Sequence, residues 1–269
     1  IIGAIKNSNN YLKQKKISIR EKGVPQGISI SNILANIFLF DLDNDYSNNN
    51  QIFYARYVDD VLLFTQNHLL EKNKQDCITK FTQLKLSVHT ENNDKCFDGF
   101  LTEKFSFLGY YFNHRIITVR QKSIDSLVSS LLSLFTSYMY SSHINKTKIL
   151  EWKLALRITG CIVENKKYGW LFFFSQINDN ELLHRLDHIL EKQLKRFNLQ
   201  NKLKLKKFSR TWHEINKNLN STTYIINYDK YSFSEKKQLL DDLSIHYTSD
   251  SEVEYLFKKT IHIIYLEFV

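Results

Sequence analysis

Proline is almost absent from this chain: Pro25 is the only one in 269 residues, and glycine occurs seven times. That scarcity excludes collagen-like and Pro/Gly-rich disordered classes and leaves no candidate for a flexible linker. Cysteine is equally sparse. Cys77, Cys96 and Cys161 are scattered, odd in number and contain no CxxC pair, which excludes a disulfide scaffold and argues against a zinc ribbon. They read as small buried apolar residues in a reducing cytoplasm. Long apolar runs are missing too. The longest, Trp170 to Phe174, has five residues, far short of the ~20 of a membrane span. The chain opens on Ile1 with no secretory pattern, so we expect a cytoplasmic protein without a membrane partner, and a piece of something longer.

What is present is an ordinary globular composition, 43% hydrophobic and 24% charged, with a formal net charge of +9. A chain of this size buries roughly 70–75% of its extended surface, enough for one large domain or two small ones. The positive charge is concentrated. Residues 1–22 carry six basic side chains against Glu21 alone, and residues 192–217 carry nine against Glu214 alone. Two basic blocks on a weakly acidic remainder point to a polyanion. From Asp241 onward six carboxylates face two lysines, a poor surface for phosphates.

The turn-like GVPQG at 23–27 precedes a predicted helix, with Ser29 or Ser31 as its cap and Ile33, Leu34, Ile37, Phe38 and Phe40 as its apolar positions. IFYARYVDDVLLF, 52–64, reads as two short strands meeting near Asp59-Asp60. Helical spacing follows over 69–86. FSFLGYYF and IITV, within 105–119, read as a hairpin turning at Asn113-His114-Arg115. Beyond Ser123 the periodicity is helical, over 127–135, 146–159 and 179–197. The expected fold is α+β: a strand-containing unit over 1–120 and a helical one over 121–269.

Two adjacent acids among Tyr57, Val58, Val61, Leu62, Leu63 and Phe64 are costly inside an apolar hairpin unless a cation joins them. At a hairpin tip both carboxylates can approach one divalent ion, and hard oxygen ligands favour Mg²⁺. Beside a nucleic-acid-binding surface, such a site suits nucleotidyl transfer by two metals. Taken alone, the pair reads as an ordinary β-turn held by its own backbone, with no metal.

It does not stand alone. GVPQGISISNILANIFL, YARYVDDVLLF and FSFLGYYF follow in order, with LKLSVHTENNDK between the last two. Over residues 20–112 the chain resembles reverse transcriptases of the group II intron and retron kind, these segments corresponding to motif B, motif C, the primer grip and motif D. The resemblance implies a right-hand polymerase palm followed by an α-helical thumb. It implies an RNA-directed DNA polymerase that adds dNTPs to a primer 3′ end, with RNA as template and DNA as product. Asp59 and Asp60 would be catalytic and hold Mg²⁺, as two ions. Lys95 would be catalytic at the leaving pyrophosphate. Gln26, Gly27 and Arg56 would lie against incoming nucleotide and template, and Phe107, Leu108, Gly109 and Tyr110 would hold the primer end.

Two departures stand out. Ser31-Asn32 replaces the family's Ser-Pro, which should shift the start of the helix slightly. The family also takes a third carboxylate from motif A, upstream of motif B, yet residues 1–24 hold no aspartate, and Asp41, Asp43 and Asp45 come too late in the chain. We therefore expect the third ligand and the fingers from a segment upstream of Ile1. In the second half, Lys202, Lys204, Lys206, Lys207 and Arg210 are the expected nucleic-acid contacts, with Phe197, Phe208 and Trp212 as stacking candidates or core. His184 and His188 stand four apart with no third ligand, which argues against zinc. ENKKYGWLFFFSQIND, 164–179, resembles the thumb side of bacterial antiviral defence reverse transcriptases of the third type. That implies a setting in phage defence, with a dedicated non-coding RNA and a partner reverse transcriptase or second copy. The alternatives are a retron or intron-encoded enzyme and a non-catalytic, maturase-like RNA-binding scaffold.

Overall fold

The computed structural model describes residues 30–89 and 96–268, with side chains up to residue 262. It divides into two compact units, Ile1–Gly99 and Phe100–Val269. This boundary lies ahead of the one expected near residue 120. The reason is physical: the strands over 105–119 belong with the helices that follow, because Val119 is buried in the core those helices form.

In the first unit, α1 (Ser31–Phe38) and α2 (Phe40–Ser47) are separated by Leu39. Ser31 is the first helical residue; the capping position is Ile30, which makes no side-chain cap bond. The expected apolar face is only partly right. Leu39, Leu42 and Tyr46 are buried, whereas Ile33, Ile37, Phe38 and Phe40 are more than half exposed. β1 (Ile52–Tyr57) and β2 (Asp60–Thr65) form an antiparallel hairpin with Tyr57 opposite Asp60. α3 (Leu70–Gln83) follows, and Tyr46 on α2 donates to Asp76 Oδ2 on α3 at 2.8 Å while stacking on Tyr54 of β1 at 5.1 Å.

The second unit opens with a three-stranded antiparallel sheet, β3 (Phe105–Phe107), β4 (Tyr110–Asn113) and β5 (Ile116–Val119). FSFLGYYF is thus itself a hairpin. Leu108 and Gly109 form its two-residue turn, with φ of 50° and 85°. Two positive φ values are the signature of the mirror-image turn whose twist matches the strands, and glycine takes the second at little steric cost. The turn expected at 113–115 is also present, between β4 and β5.

Behind the sheet stand α4 (Gln121–Tyr140), α5 (Lys146–Thr159), the short α6 (Trp170–Phe173), α7 (Asn180–Arg196) and α8 (Phe208–Lys217). Leu127, Leu131 and Phe135 on α4 meet Leu150 and Leu154 on α5 and Leu182, Leu186 and Leu190 on α7 in one continuous core. The helical spacing read from sequence places these residues on facing stripes. A small sheet lies beside it: β6 (Cys161–Val163) pairs antiparallel with β7 (Lys166–Tyr168) and parallel with β8 (Ile226–Asn227). With α9 (Phe233–Asp242) and α10 (Asp250–Phe268), it surrounds a second apolar cluster that includes Cys161, Tyr228, Leu239 and Phe257.

Candidate active site

The register of the first hairpin leaves Val58 and Asp59 as its two-residue turn and makes Asp60 the first residue of β2. Val58 has φ of 57°. A β-branched residue in the left-handed region crowds its own Cβ, at a cost of about 1–2 kcal/mol. Such strain persists only where the surroundings fix it.

The restraint is Arg56. Its Nη1 donates to the Val58 carbonyl at 2.7 Å. Nε and Nη2 donate to the two carboxylate oxygens of Asp43 on α2 at 2.8 and 2.5 Å, and Nη2 also reaches Asn36 Oδ1 on α1 at 3.2 Å. Only 6% of the Arg56 side chain is exposed. Tyr54 adds a third donor to Asp43 Oδ1 at 2.6 Å. Hydrogen bonding from Arg56 holds the Asp43 carboxyl below the usual carboxylate range, and the same bond raises the guanidinium's pKa. Charge-assisted bonds of this kind each contribute about 1.5–3 kcal/mol, enough to offset the strain at Val58.

Asp59 and Asp60 are both exposed, and among the described residues no hydrogen bond or ion pair engages either carboxylate. Their oxygens are hard, anionic donors that fit Mg²⁺ as two of its ligands. No group of three or more His, Cys, Asp or Glu suited to a metal occurs among the described residues. Gln26, Gly27 and Lys95 lie outside the described residues. Arg56 does not offer a free guanidinium to template or nucleotide, since all three of its nitrogens are engaged within the protein.

The predicted primer-grip residues form the tip of the β3–β4 hairpin, in the second unit. Phe107, Leu108, Gly109 and Tyr110 are all half-buried. Tyr110 donates its hydroxyl to the Phe173 carbonyl at 2.8 Å and meets the Phe174 ring edge-on at 5.3 Å. Arg120 N donates to the Gly109 carbonyl at 3.1 Å. The aromatic run at 170–174 therefore braces this tip. Asn178 secures the sheet edge, accepting from Ile117 N at 2.7 Å and donating to the Arg115 carbonyl at 2.7 Å. A cleft of about 630 Å³ beside α4 and α6 is lined by Ser123, Ser126, Ser130, Arg157, Lys167 and Trp170, among others. Hydroxyls and cations of this sort suit sugar-phosphate contacts.

The basic run is less free than its sequence implies. Lys206 is half-buried, its ammonium bonded to the Tyr224 carbonyl, and burial pulls its pKa down. Arg210 lies over the Tyr224 ring at 4.3 Å and pairs with Glu214 at 3.4 Å, and Lys207 pairs with Glu191 at 3.4 Å. Lys202 and Lys204 are exposed. Phe208 is fully buried and Phe197 stacks on Phe135 at 5.5 Å, so both belong to the core rather than to bases. Trp212 packs against the same core.

The family model described as reverse transcriptase (RNA-dependent DNA polymerase) matches residues 4–112, a span that contains the Asp59-Asp60 hairpin and ends within β4. No curated protein matches the chain. Over residues 4–112 the chain is thus similar to reverse transcriptase domains, a family whose activity is that of a nucleotidyltransferase, an RNA-directed DNA polymerase.

Proposed function

We propose that the protein extends a primer on an RNA template by two-metal nucleotidyl transfer, with Asp59 and Asp60 as two of the metal ligands. The observation that carries this is the hairpin tip itself: two uncommitted carboxylates on a turn whose strained Val58 is held by a buried arginine. An ordinary DD turn needs no such restraint. When bound, Mg²⁺ would neutralise the triphosphate and favour deprotonation of the primer 3′ hydroxyl. Asp59 and Asp60 fix where that charge sits. In the second unit, the β3–β4 tip would hold the primer end, its position set by Tyr110 and the aromatic run beneath it. The cleft along α4, with Lys202 and Lys204, would contact sugar and phosphate. Gln26 and Gly27 would underlie the nucleotide and Lys95 would protonate the leaving pyrophosphate, as the motif resemblance implies.

We further propose a setting in bacterial phage defence with a dedicated RNA, supported by the resemblance of residues 164–179. The test is incorporation of labelled dNTPs by the protein with its co-purified RNA, beside Asp59→Asn and Asp60→Asn. Loss of synthesis in both variants, with RNA still bound, supports the polymerase reading. Synthesis retained in both refutes it, and an RNA-binding role with no synthesis in any form supports the scaffold.

A further inference from the structure

Arg56 occupies the centre of a network whose ends have different fates. At one end its guanidinium clamps Asp43 through two parallel bonds, and Asn36 takes a third. At the other end it reaches the Val58 carbonyl at 2.7 Å. That carbonyl and the Asp59 amide belong to one planar peptide unit, so fixing the carbonyl fixes the plane from which Asp59 is suspended. Asp43 is in turn held by Tyr54 at 2.6 Å, and its helix by Tyr46 bonded to Asp76. We infer that Arg56 is a positioning residue for the Asp59-Asp60 metal site: it transmits the fixed position of α1 and α2 to the turn, and does not touch template or nucleotide. This rests on the reading of Asp59 and Asp60 as metal ligands and adds what orients them.

The chemistry requires arginine. A lysine can pair with Asp43 through its single ammonium, but it lacks the planar fork that grips both carboxylate oxygens while a third nitrogen bonds the carbonyl. Without that bond the left-handed Val58 has nothing to offset it, and the turn relaxes toward unstrained backbone. The two carboxylates then keep their charge but lose their common aim. Groups that orient metal ligands typically govern metal affinity by 10–100-fold.

The test measures Mn²⁺ in place of Mg²⁺, as free ion by electron paramagnetic resonance, for the purified protein without nucleic acid. Wild type is set beside Arg56→Lys, Arg56→Gln, Tyr54→Phe and the double variant Asp59→Asn/Asp60→Asn. Primer–template affinity and thermal unfolding are recorded for each. We expect Arg56→Lys and Arg56→Gln to weaken Mn²⁺ binding about 10-fold or more. Their primer–template affinity should stay at the wild-type value, and both should unfold in one cooperative transition at a lower temperature than wild type, still well above the temperature of the binding assay. Tyr54→Phe, which removes one bond to Asp43 and leaves Arg56 in place, should bind Mn²⁺ as wild type does. Wild-type Mn²⁺ affinity in Arg56→Lys, with binding abolished in the double variant, overturns the positioning role and leaves the metal site standing. Unchanged Mn²⁺ affinity in the double variant removes the metal site itself, and the inference with it. A fall in primer–template affinity with Mn²⁺ binding intact would make Arg56 a template contact.

Discussion

Removing the carboxylate of Asp187 should destabilise the second unit by stripping α8 of its cap. Asp187 is buried, and its oxygens accept from Phe208 N at 2.5 Å, Ser209 N at 3.3 Å and Ser209 Oγ at 2.6 Å. Phe208 and Ser209 are the first two residues of α8, whose own capping position, Lys207, makes no side-chain cap bond. Asp187 therefore caps α8 from another helix. In Asp187→Ala the Phe208 amide loses its acceptor in a residue with no exposed surface. An orphaned buried donor costs about 1–3 kcal/mol and a lost cap about 1 kcal/mol; these overlap, so we expect about 2–3 kcal/mol. For a unit of this size each kcal/mol lowers Tm by about 2–4 °C, giving a fall of roughly 5–10 °C. Asp187→Asn retains one acceptor but turns an NH₂ toward the Ser209 donors, for about half that loss. Thermal unfolding by circular dichroism measures both. His184→Ala and His188→Ala, exposed on the same helix, should each stay within about 0.5 kcal/mol of wild type. An Asp187→Ala variant no less stable than these controls would refute the capping argument.

Two glycines should differ sharply. A Cβ at Gly160 would sit 2.1 Å from the Tyr168 carbonyl oxygen on a backbone at φ of 64°, so Gly160→Ala should cost about 3 kcal/mol or more. At Gly109 the nearest atom is a Phe174 ring carbon at 3.2 Å, so Gly109→Ala should cost about 1–2 kcal/mol, both read by urea unfolding. The Asp43–Arg56 pair carries a signed pH dependence. Because the folded carboxyl lies below its unfolded value near 4, the pair's stabilisation is complete above that pH and is lost as pH falls through the lower folded value. The stability gap between wild type and Arg56→Gln should therefore be level from pH 5 to 8 and shrink below about pH 4. Finally, burial pushes the Cys161 thiol up to about 12 and also raises Cys77, so iodoacetamide at pH 8 should label Cys161 only after denaturation and Cys77 slowly.

Local patterns were legible in the sequence and long-range partners were not. Helical spacing located α5 and α7 within a residue or so, because a buried stripe repeats at the period of the helix. The Val-Asp-Asp hairpin was legible for the same reason: alternation and a turn signal are properties of neighbours. Splitting FSFLGYYF was within reach, since Leu-Gly is a turn pair, but an unbroken apolar run hides a reversal whose first residue is leucine in a left-handed conformation. The basic run misled in the other direction. Charge counts do not show that Lys206 and Arg210 are spent on Tyr224, fourteen or more residues away. Asp187 leaves no local signal at all, because its partners lie 21 and 22 residues further along.

Asp43 shows what kind of signal was missed. By position it does not suit the third metal ligand that the resemblance implies, since it follows the segment that resembles motif B, and order along the chain was the only criterion available. Its meaning comes from Arg56, thirteen residues later, and Arg56 takes its own from a carbonyl two residues further on. The one trace in the sequence is chemical. An arginine near the end of a half-buried, largely apolar strand demands a partner, and the acid-rich FDLDND segment just before that strand is the nearest supplier. The same reasoning explains why Val58 can be tolerated at a tip where asparagine or glycine is usual. A turn that satisfied itself would be more stable and would leave Asp59 free to choose its orientation. A strained turn held from outside has one orientation, set by the helices that hold it.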